Sequence, residues 1–265
     1  MSRLLRYRLS MDASQIYTLA VDCGGGGIKS CVLDAGGFQR SDVVRTPVPY
    51  PFSPEDLLQV IEAQLSQLGA PHIDRMTLGM PGMIRHGVVA YTPHYIRRAG
   101  PHTRILPNLE HAWNGQDMQT ALEARFGVPA LVLNDAEVAA AGIVSGKGLE
   151  LVLTLGTGLG SAFLDNGRLA PHLEISHATV RWGLTFDDIL GEHERVRLGD
   201  SAWSRRVAKA VETLWPVFRW DSLYIGGGNA ARVTDSVRAR MPQANWVPNM
   251  AGMAGGVRAW SMVGR

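Results

Sequence analysis

The stretch VDCGGGGIKS, from Val21 to Ser30, places four consecutive glycines, Gly24–Gly27, between an acidic and a basic residue. An apolar segment, residues 16–21, comes directly before it. Glycine loses more backbone freedom on folding than any other residue, so a run of four indicates a place where the chain bends freely or is approached closely. Such a turn offers backbone N–H groups to an anion, because no side chain blocks the approach.

The segments on both sides of these glycines predict a β-hairpin. IYTLAVDCG (16–24) is typical of a buried strand, and GIKSCVLDAGG (27–37) of a second strand that closes in a Gly-Gly turn. The middle of the chain repeats this pattern, since LELVLTLGTGLGSAFLDNGRL (149–169) predicts a strand, a glycine-rich turn and a returning strand. This weak repeat at long spacing predicts two similar halves.

Helices and further strands alternate along the rest of the chain. Helices are predicted in SPEDLLQVIEAQLSQLG (53–69), with Ser53 as N-cap and Gly69 as stop, in DMQTALEARFG (117–127), in DSAWSRRVAKAVETLWPVF (200–218) and in MAGMAGGVRAWSMV (250–263). Strands that lead into turns or helices are predicted in RMTLGMPG (75–82), PALVLNDAEVAAAG (129–142) and SLYIGGGNAARV (222–233). The alternation predicts an α/β protein with a tail over residues 1–15, one domain over residues 16–130 and a second over residues 131–265, with packing of the last helix back on the first domain left open.

Composition sets limits on the function. The chain has 265 residues, is 46% hydrophobic and 19% charged, and carries a net charge of +2, which is typical of an ordinary globular protein and gives no general case for a nucleic-acid partner. Its two cysteines cannot form a disulfide framework or an all-cysteine zinc site, so a reducing, cytoplasmic location is expected. No run approaches the roughly 20 apolar residues of a membrane span.

Neither common nucleotide motif fits the glycines. A Walker A loop needs Gly-Lys-Ser/Thr without interruption, but Ile28 separates the last glycine of the run from Lys29. A dinucleotide fingerprint needs a third glycine where the two turns carry Lys29 and Ser161. One glycine-rich hairpin is most simply a tight turn. Two of them, one preceded by Asp22 and one flanked by Thr154 and Thr157, favour a shared phosphate site.

Six motifs of the sequence resemble those of a known protein superfamily. VDCGGGGIKS resembles the first phosphate loop of the sugar kinase/heat-shock ATPase/actin superfamily, and TLGMPG, VLNDAEVAAAG, LTLGTGLGSAF, EISH and YIGGG follow in the order used by the ROK sugar kinases. Their spacing is most similar to that of the polyphosphate glucokinase branch, over residues 16–265. The resemblance implies two related ribonuclease-H-like domains around a central cleft, the actin-like ATPase fold. It also implies transfer of the terminal phosphoryl group of ATP or polyphosphate to the 6-hydroxyl of a hexose, most simply glucose.

The resemblance also implies roles for individual residues. Asp135, which follows a strand end, matches the catalytic base, although on local grounds it is equally a helix N-cap. Lys29 matches a basic residue near the phosphates, or is a solvated strand residue. The other implied positions are Asn134, Glu174, His177 and Gly82 for the sugar, Asp22 for Mg²⁺, and Gly24, Gly25, Gly26, Gly27, Thr154, Gly156, Thr157, Gly158, Gly226, Gly227 and Gly228 for phosphate or nucleotide.

The sequence departs from the family pattern in three places. Ser176 replaces the glycine of the Glu-x-Gly-His sugar motif and is expected to be strained if that position needs a positive φ. Gly26 stands where relatives have threonine, so a hydroxyl that contacts phosphate is lost. HATVRWGLTFDD (177–188) lacks the cysteines of the family's zinc motif, so no zinc is expected.

Two alternatives therefore stay open: a degenerate protein that binds sugar or phosphate without turnover, and an N-acetylhexosamine kinase. The resemblance suggests a homodimer, with no nucleic-acid or membrane partner.

One helix predicts a basic surface. Arg205, Arg206 and Lys209 lie on a different face of the helix over residues 200–218 from its apolar side chains, and Arg195 and Arg197 come shortly before it. This surface is either an ordinary solvated face or a track for a long polyanion such as polyphosphate.

Overall fold

The structure is a computed structural model that describes residues 16–100, 103–247 and 253–263, so the tail predicted over residues 1–15 lies outside the described residues. The described chain forms two compact units. The first contains residues 16–135 together with 253–260, and the second contains residues 136–247 together with 261–263. The division between the two units follows Asp135.

A five-stranded sheet forms the centre of the first unit. Its strands are β1 (Thr18–Cys23), β2 (Ile28–Leu33), β3 (Val44–Thr46), β4 (Arg75–Met80) and β8 (Ala130–Asn134), and their spatial order is β3-β2-β1-β4-β8. The glycine run joins β1 to β2, which pair antiparallel with Asp22 opposite Lys29, so the predicted hairpin is confirmed. Strands β1, β4 and β8 run parallel, and their carboxyl ends therefore meet at one edge of the sheet. A smaller sheet contains β5 (Met83–Arg85), β6 (Val88–Tyr91) and β7 (Gln116–Asp117).

Three helices are described between residues 54 and 126; the first and third end where the sequence predicts, and the second was not predicted. They are α1 (Pro54–Gln67), α2 (Pro107–Trp113) and α3 (Met118–Phe126). Ser53 caps α1 in a capping box: its hydroxyl accepts from the N–H of Asp56 at 3.2 Å, and the Asp56 carboxylate accepts from the N–H of Ser53 at 2.7 Å. Gly127, at φ 69°, terminates α3 in the left-handed conformation. These ends fix which apolar face of each helix covers the sheet.

The second unit repeats the sheet of the first. Its strands are β9 (Leu149–Leu155), β10 (Leu159–Asp165), β11 (Arg168–Leu169), β14 (Ser222–Gly226) and β15 (Ala244–Trp246), in the order β11-β10-β9-β14-β15. On one side of β9, strands β10 and β11 pair antiparallel, and on the other side β14 and β15 pair parallel. The first sheet has the same arrangement on the two sides of β1. The predicted similarity of the two halves is therefore a shared topology, with a glycine turn at the same hairpin of each sheet.

The remaining elements of the second unit surround this sheet. They are the hairpin β12 (Thr179–Arg181) and β13 (Leu184–Thr185), and the helices α4 (Asp135–Ala141), α5 (Phe186–Leu190), α6 (Glu192–Leu198), α7 (Asp200–Phe218) and α8 (Asp235–Arg238). Helix α7 buries Trp203, Val207, Val211 and Leu214 in the core of this unit, as its periodicity predicts. Among the described residues, no helix is long and apolar enough to cross a membrane.

The last helix belongs mainly to the first unit. Helix α9 (Gly255–Met262) contributes residues up to Trp260 to that unit. The Thr77 hydroxyl on β4 donates to the carbonyl of Gly256 at 2.6 Å, across 179 residues of sequence, and accepts from the Trp260 indole N–H at 2.8 Å. The guanidinium of Arg75 lies 4.9 Å from the centre of the Trp260 ring. The end of the chain is therefore tied to the central strands formed near its beginning.

Candidate functional site

The carboxyl edge of the first sheet gathers the predicted acids. Open α/β sheets bind ligands at this edge. Here β1 contains Asp22 near its end and leads into the glycine run, β4 leads into Gly82, and β8 ends in Asn134 with Asp135 next in the chain. The side-chain amide of Asn134 donates to the carbonyl of Gly82 at 2.8 Å. Burial raises the pKa of the Cys23 thiol well above its usual value, and the charges of Asp22 and Asp135 add to the rise, so both acids lie near Cys23.

Two tyrosines hold the glycine run. The Tyr50 hydroxyl donates to the carbonyl of Gly25 at 2.8 Å, and the Tyr95 hydroxyl donates to the carbonyl of Gly24 at 3.2 Å. The N–H of Gly24 closes the turn by donating to the carbonyl of Gly27 at 2.9 Å. Burial raises the pKa of Tyr50 to about 12 and that of Tyr95 well above its usual value, so both phenols stay protonated donors near neutral pH. A loop of four glycines is thereby ordered by side chains from other elements.

Buried aromatic rings fix one of these tyrosines. The Tyr95 ring centre lies 5.0 Å from that of Phe52 and 5.3 Å from that of Trp113. All three side chains are fully buried, and the Trp113 indole N–H donates to the carbonyl of Phe52 at 2.7 Å. The cluster therefore determines where the Tyr95 hydroxyl points.

The two charged residues beside the glycine run contact one another. Lys29 Nζ lies 3.2 Å from Asp22 Oδ2, and the two side chains are 42% and 37% exposed. Lys29 is therefore half-exposed next to the glycine turn and paired with the acid predicted to bind Mg²⁺. Over the described ranges, no group of three or more His, Cys, Asp or Glu side chains is arranged to hold a metal ion.

Gly82 has a steric reason to be glycine. Its φ is 111°, a conformation that side chains rarely adopt, and a Cβ there would collide with the carbonyl oxygen of Tyr91. The turn that follows β4 is thus packed against the chain after β6. This close packing holds the Gly82 carbonyl in place for Asn134.

The glycine turns of the second unit meet each other. The N–H of Gly156 donates to the carbonyl of Gly158 at 3.0 Å, which closes the β9–β10 turn. The Asn229 side chain, directly after Gly226–Gly228, donates to the carbonyl of Gly156 at 2.9 Å. A Cβ at Gly227 would lie 2.5 Å from the carbonyl oxygen of Leu155, so the glycine permits this approach. The predicted phosphate residues therefore lie in two adjoining turns or at the strand ends that lead into them, namely Thr154, Gly156, Thr157, Gly158, Gly226, Gly227 and Gly228.

The predicted sugar residues Glu174 and His177 lie at one short turn. A 3-10 helix, Ile175–His177, follows Glu174 directly. Ser176 Oγ donates to Glu174 Oε1 at 2.6 Å, and His172 Nε2 lies 3.4 Å from Glu174 Oε2. Burial alone would raise the pKa of Glu174, but hydrogen bonds from His172 and Ser176 and the charges of His172 and His177 lower it below its usual value. Glu174 is therefore held as a carboxylate.

The strain expected at Ser176 is absent. Ser176 is not among the non-glycine residues with positive φ, and its φ/ψ belong to the short 3-10 turn. Its side chain is buried and serves as a donor to Glu174. The expectation of strain is thus wrong, because this turn does not need the left-handed conformation at that position.

Sequence reasoning missed several residues that shape these sites. His172 lies only two residues before Glu174, and this closeness in the sequence could have indicated that the two side chains interact. The carboxylate of Asp187 accepts from the N–H of Leu159 at 2.7 Å, and burial raises its pKa. Asp187, Tyr50 and Tyr95 carried no signal, because each reaches its glycine turn from a distant part of the sequence.

The predicted basic surface is largely neutralised. Most of its cations pair with carboxylates, namely Arg195 with Glu192 and Asp200, Arg197 and Arg206 with Glu194, and Lys209 with Glu212. Hydrogen bonds from Arg197 and Arg206 lower the pKa of Glu194 to about 2. Arg205 donates to the carbonyl of Ser201 at 3.2 Å. An ordinary surface is therefore favoured over a polyanion track here.

Known proteins resemble the chain along most of its length. Polyphosphate glucokinase of Mycobacterium tuberculosis (strain CDC 1551 / Oshkosh) is 28% identical over 257 residues, which cover 89% of this chain and 82% of the relative. The inorganic polyphosphate/ATP-glucomannokinase of Arthrobacter sp. strain KM superposes with a TM-score of 0.74 at 28% identity, covering 94% of this chain and 98% of that one. A ROK family glucokinase from Streptomyces griseus, solved with glucose and AMPPNP, has a TM-score of 0.68 at 20% identity, covering 92% and 97%, and shows the common fold.

These likenesses confirm two predictions. The mixed α/β chain has the actin-like ATPase fold of its structural neighbours, and its relatives are sugar kinases of the predicted kind. The sequence profile of the ROK family matches residues 18–173, more than half of the 265-residue chain. The chain belongs to the ROK family.

Proposed function

We propose that this chain is a hexose kinase. It transfers the terminal phosphoryl group of ATP or polyphosphate to the 6-hydroxyl of a hexose, most simply glucose, with Asp135 as general base. The observation that carries the proposal is the common edge of the first sheet, where Asp22 lies near the end of β1 and the glycine run, Gly82 and Asp135 follow the ends of parallel strands. An acid beside a phosphate loop is the arrangement that phosphoryl transfer needs.

Asp135 takes the proton in this proposal. Phosphoryl transfer requires little covalent help from the protein, so catalysis depends on positioning and on a base aimed at the attacking hydroxyl. The hydrogen bond from Asn134 to Gly82 ties the strand that carries Asp135 to the turn proposed to line the sugar. An amide oxygen has two lone pairs, so Asn134 can accept a hydrogen bond from a sugar hydroxyl.

The residues around the glycine run fit a Mg²⁺ ion. Mg²⁺ is usually held by one or two carboxylates and completed by water and substrate phosphates, and Asp22 offers one half-exposed carboxylate next to the turn. When bound, the ion neutralises charge on the transferred phosphoryl group. Lys29, which now pairs with Asp22, would supply a second positive charge to the phosphates.

Glycine turns would receive the phosphates of the donor, and Glu174 with His177 would hold the sugar. The relatives named as polyphosphate glucokinase and polyphosphate/ATP-glucomannokinase support ATP and polyphosphate as donors. Backbone N–H groups at glycine turns bind phosphate without regard to the base of a nucleotide, so both donors suit the same turns.

A coupled assay for glucose 6-phosphate tests the proposal. Purified protein is incubated with glucose and Mg²⁺ and with ATP or polyphosphate, and parallel reactions contain mannose or an N-acetylhexosamine. Phosphorylation of at least one hexose by the wild type, and its loss in Asp135→Asn, are expected. Phosphorylation of only the N-acetylhexosamine would select the alternative substrate class.

A binding protein without turnover is the second candidate. It is favoured by Gly26, which leaves the first phosphate loop without the threonine hydroxyl that the family resemblance leads one to expect. Hexose binding by calorimetry without product in any donor reaction would support this candidate against the kinase.

A further inference from the structure

We propose that His172 and Ser176 are positioning residues for Glu174. They would hold its carboxylate ionised and oriented to accept hydroxyl groups of the sugar, and Glu137 would anchor the imidazole on its other side. This inference rests on the proposed function, because it explains how the sugar residue of that site is prepared. It assigns roles to three side chains that the sugar motif itself does not include.

Both oxygens of Glu174 have a partner. Ser176 Oγ donates to Oε1 at 2.6 Å, and His172 Nε2 lies 3.4 Å from Oε2. On the other side of the ring, His172 Nδ1 lies 3.7 Å from Glu137 Oε1. The two glutamates come from different elements, since Glu137 is on α4 whereas Glu174 precedes the 3-10 turn. The imidazole therefore bridges two elements of one unit.

Burial explains why a histidine occupies this place. The side chains of Glu137, His172 and Glu174 are only 5%, 1% and 10% exposed. Two carboxylates this poorly hydrated raise each other's pKa unless a cation lies near them. A carboxylate only accepts hydrogen bonds, and an imidazole donates from both nitrogens only when it is protonated. An imidazolium between the two acids would offset the charge of both and would donate a hydrogen bond to Glu174.

The arrangement prepares Glu174 for hydroxyl donors. A carboxylate has about four lone-pair sites, and the bonds from Ser176 and His172 use two of them. The Glu174 side chain is 10% exposed and His177 beside it is exposed, so a ligand that lies against His177 can reach the remaining lone pairs. Hydrogen bonds from neutral hydroxyls to a carboxylate are charge-assisted and roughly twice as strong as neutral ones.

Ser176→Ala and His172→Leu test the inference, and His172→Gln tests rescue. The first two remove one donor each, and glutamine restores an N–H without the charge. Loss of a hydrogen bond to a charged group is expected to raise the hexose KM and the calorimetric hexose Kd roughly 10- to 100-fold. The donor KM is expected to change less than about twofold, and His172→Gln is expected to recover part of the loss.

Ser204→Ala is the matched control. Ser204 is also fully buried in the second unit, where its hydroxyl donates to the carbonyl of Asp200 at 2.6 Å and accepts from the N–H of Thr234 at 3.0 Å. This variant is expected to lower the melting temperature while leaving the hexose Kd unchanged. It separates a general loss of stability from an effect on sugar binding.

The outcomes separate this inference from the proposed function. If the wild type binds a hexose but transfers no phosphate, the kinase proposal falls, and the Kd values of the variants still decide the inference. If Ser176→Ala and the folded His172 variants bind hexose like the wild type, or if donor and hexose constants change together, the inference is overturned. A wild type that binds none of the hexoses overturns both.

Discussion

Restoring a hydroxyl at position 26 is expected to improve use of the phosphoryl donor. Gly26 is exposed, its φ lies outside the left-handed range, and a Cβ built there has no heavy atom within 4 Å. The Cβ of Gly26→Thr therefore meets no steric conflict. Relatives are expected to carry threonine here, so the new hydroxyl would reach the phosphates of the donor.

The structure also sets the size of the effect. A hydrogen bond to a charged group contributes about 1.5–3 kcal/mol, and the exposure of Gly26 favours the lower end of that range. Because about 1.4 kcal/mol corresponds to a factor of ten, the donor KM is expected to fall roughly tenfold. Replacing glycine also reduces the freedom of the unfolded chain, which adds about 0.4–1 kcal/mol of stability.

Gly26→Val is the matched control, because valine has the shape of threonine without its hydroxyl. The coupled assay with ATP and with polyphosphate gives the donor KM of both variants, and urea unfolding gives their stability. A fall in KM for threonine but not for valine is expected, with both variants equally stabilised. Equal donor KM values for the two variants would refute a phosphate contact at this position.

Four further predictions concern other parts of the chain. Asp135→Asn is expected to bind hexose normally but to lose ~10²–10⁴-fold in kcat, since an amide cannot take the proton; calorimetry beside the coupled assay measures both. Gly82→Ala is expected to lose more than about 2 kcal/mol of unfolding free energy, through its left-handed backbone and the collision of its Cβ with a carbonyl, and urea unfolding measures the loss. Tyr50→Phe and Tyr95→Phe each remove a hydrogen bond worth about 1 kcal/mol from the glycine run and are expected to raise the donor KM about fivefold; an unchanged KM would show that the run does not need these bonds. The pKa of Glu194 falls from 4.5 to about 2 on folding. Its contribution to the unfolding free energy is therefore complete above pH 4.5 and is lost as the pH falls toward 2. In Glu194→Gln, the midpoint of urea unfolding is expected to depend less on pH between these two values.

Local patterns predicted the elements well where their cause is local. The capping box at Ser53 and the left-handed Gly127 lie within a few residues of the helix ends that they determine. The two glycine hairpins followed from apolar strands joined by turn residues. These features need no knowledge of the rest of the fold.

Contacts between distant segments were not predictable in this way. The basic residues of α7 looked like one surface, but Arg206 pairs with Glu194 on the preceding helix, which only the packing of α6 against α7 brings near. Tyr95 is 71 residues from the glycine carbonyl to which it donates. Ser176 looked strained when compared with a glycine, because its φ depends on a turn that the sequence does not specify.

The attachment of the last helix to the first unit has a consequence for synthesis of the protein. Strands β1 and β4 leave the ribosome early, but the Gly256 carbonyl and the Trp260 indole that bond to Thr77 emerge only after the whole second unit. Closing a contact across 179 residues carries a large entropic cost and slows folding. The nascent first unit must therefore wait with its sheet partly uncovered until the second unit has been made. A premature stop codon just before residue 253 would thus damage the half of the protein that was made first.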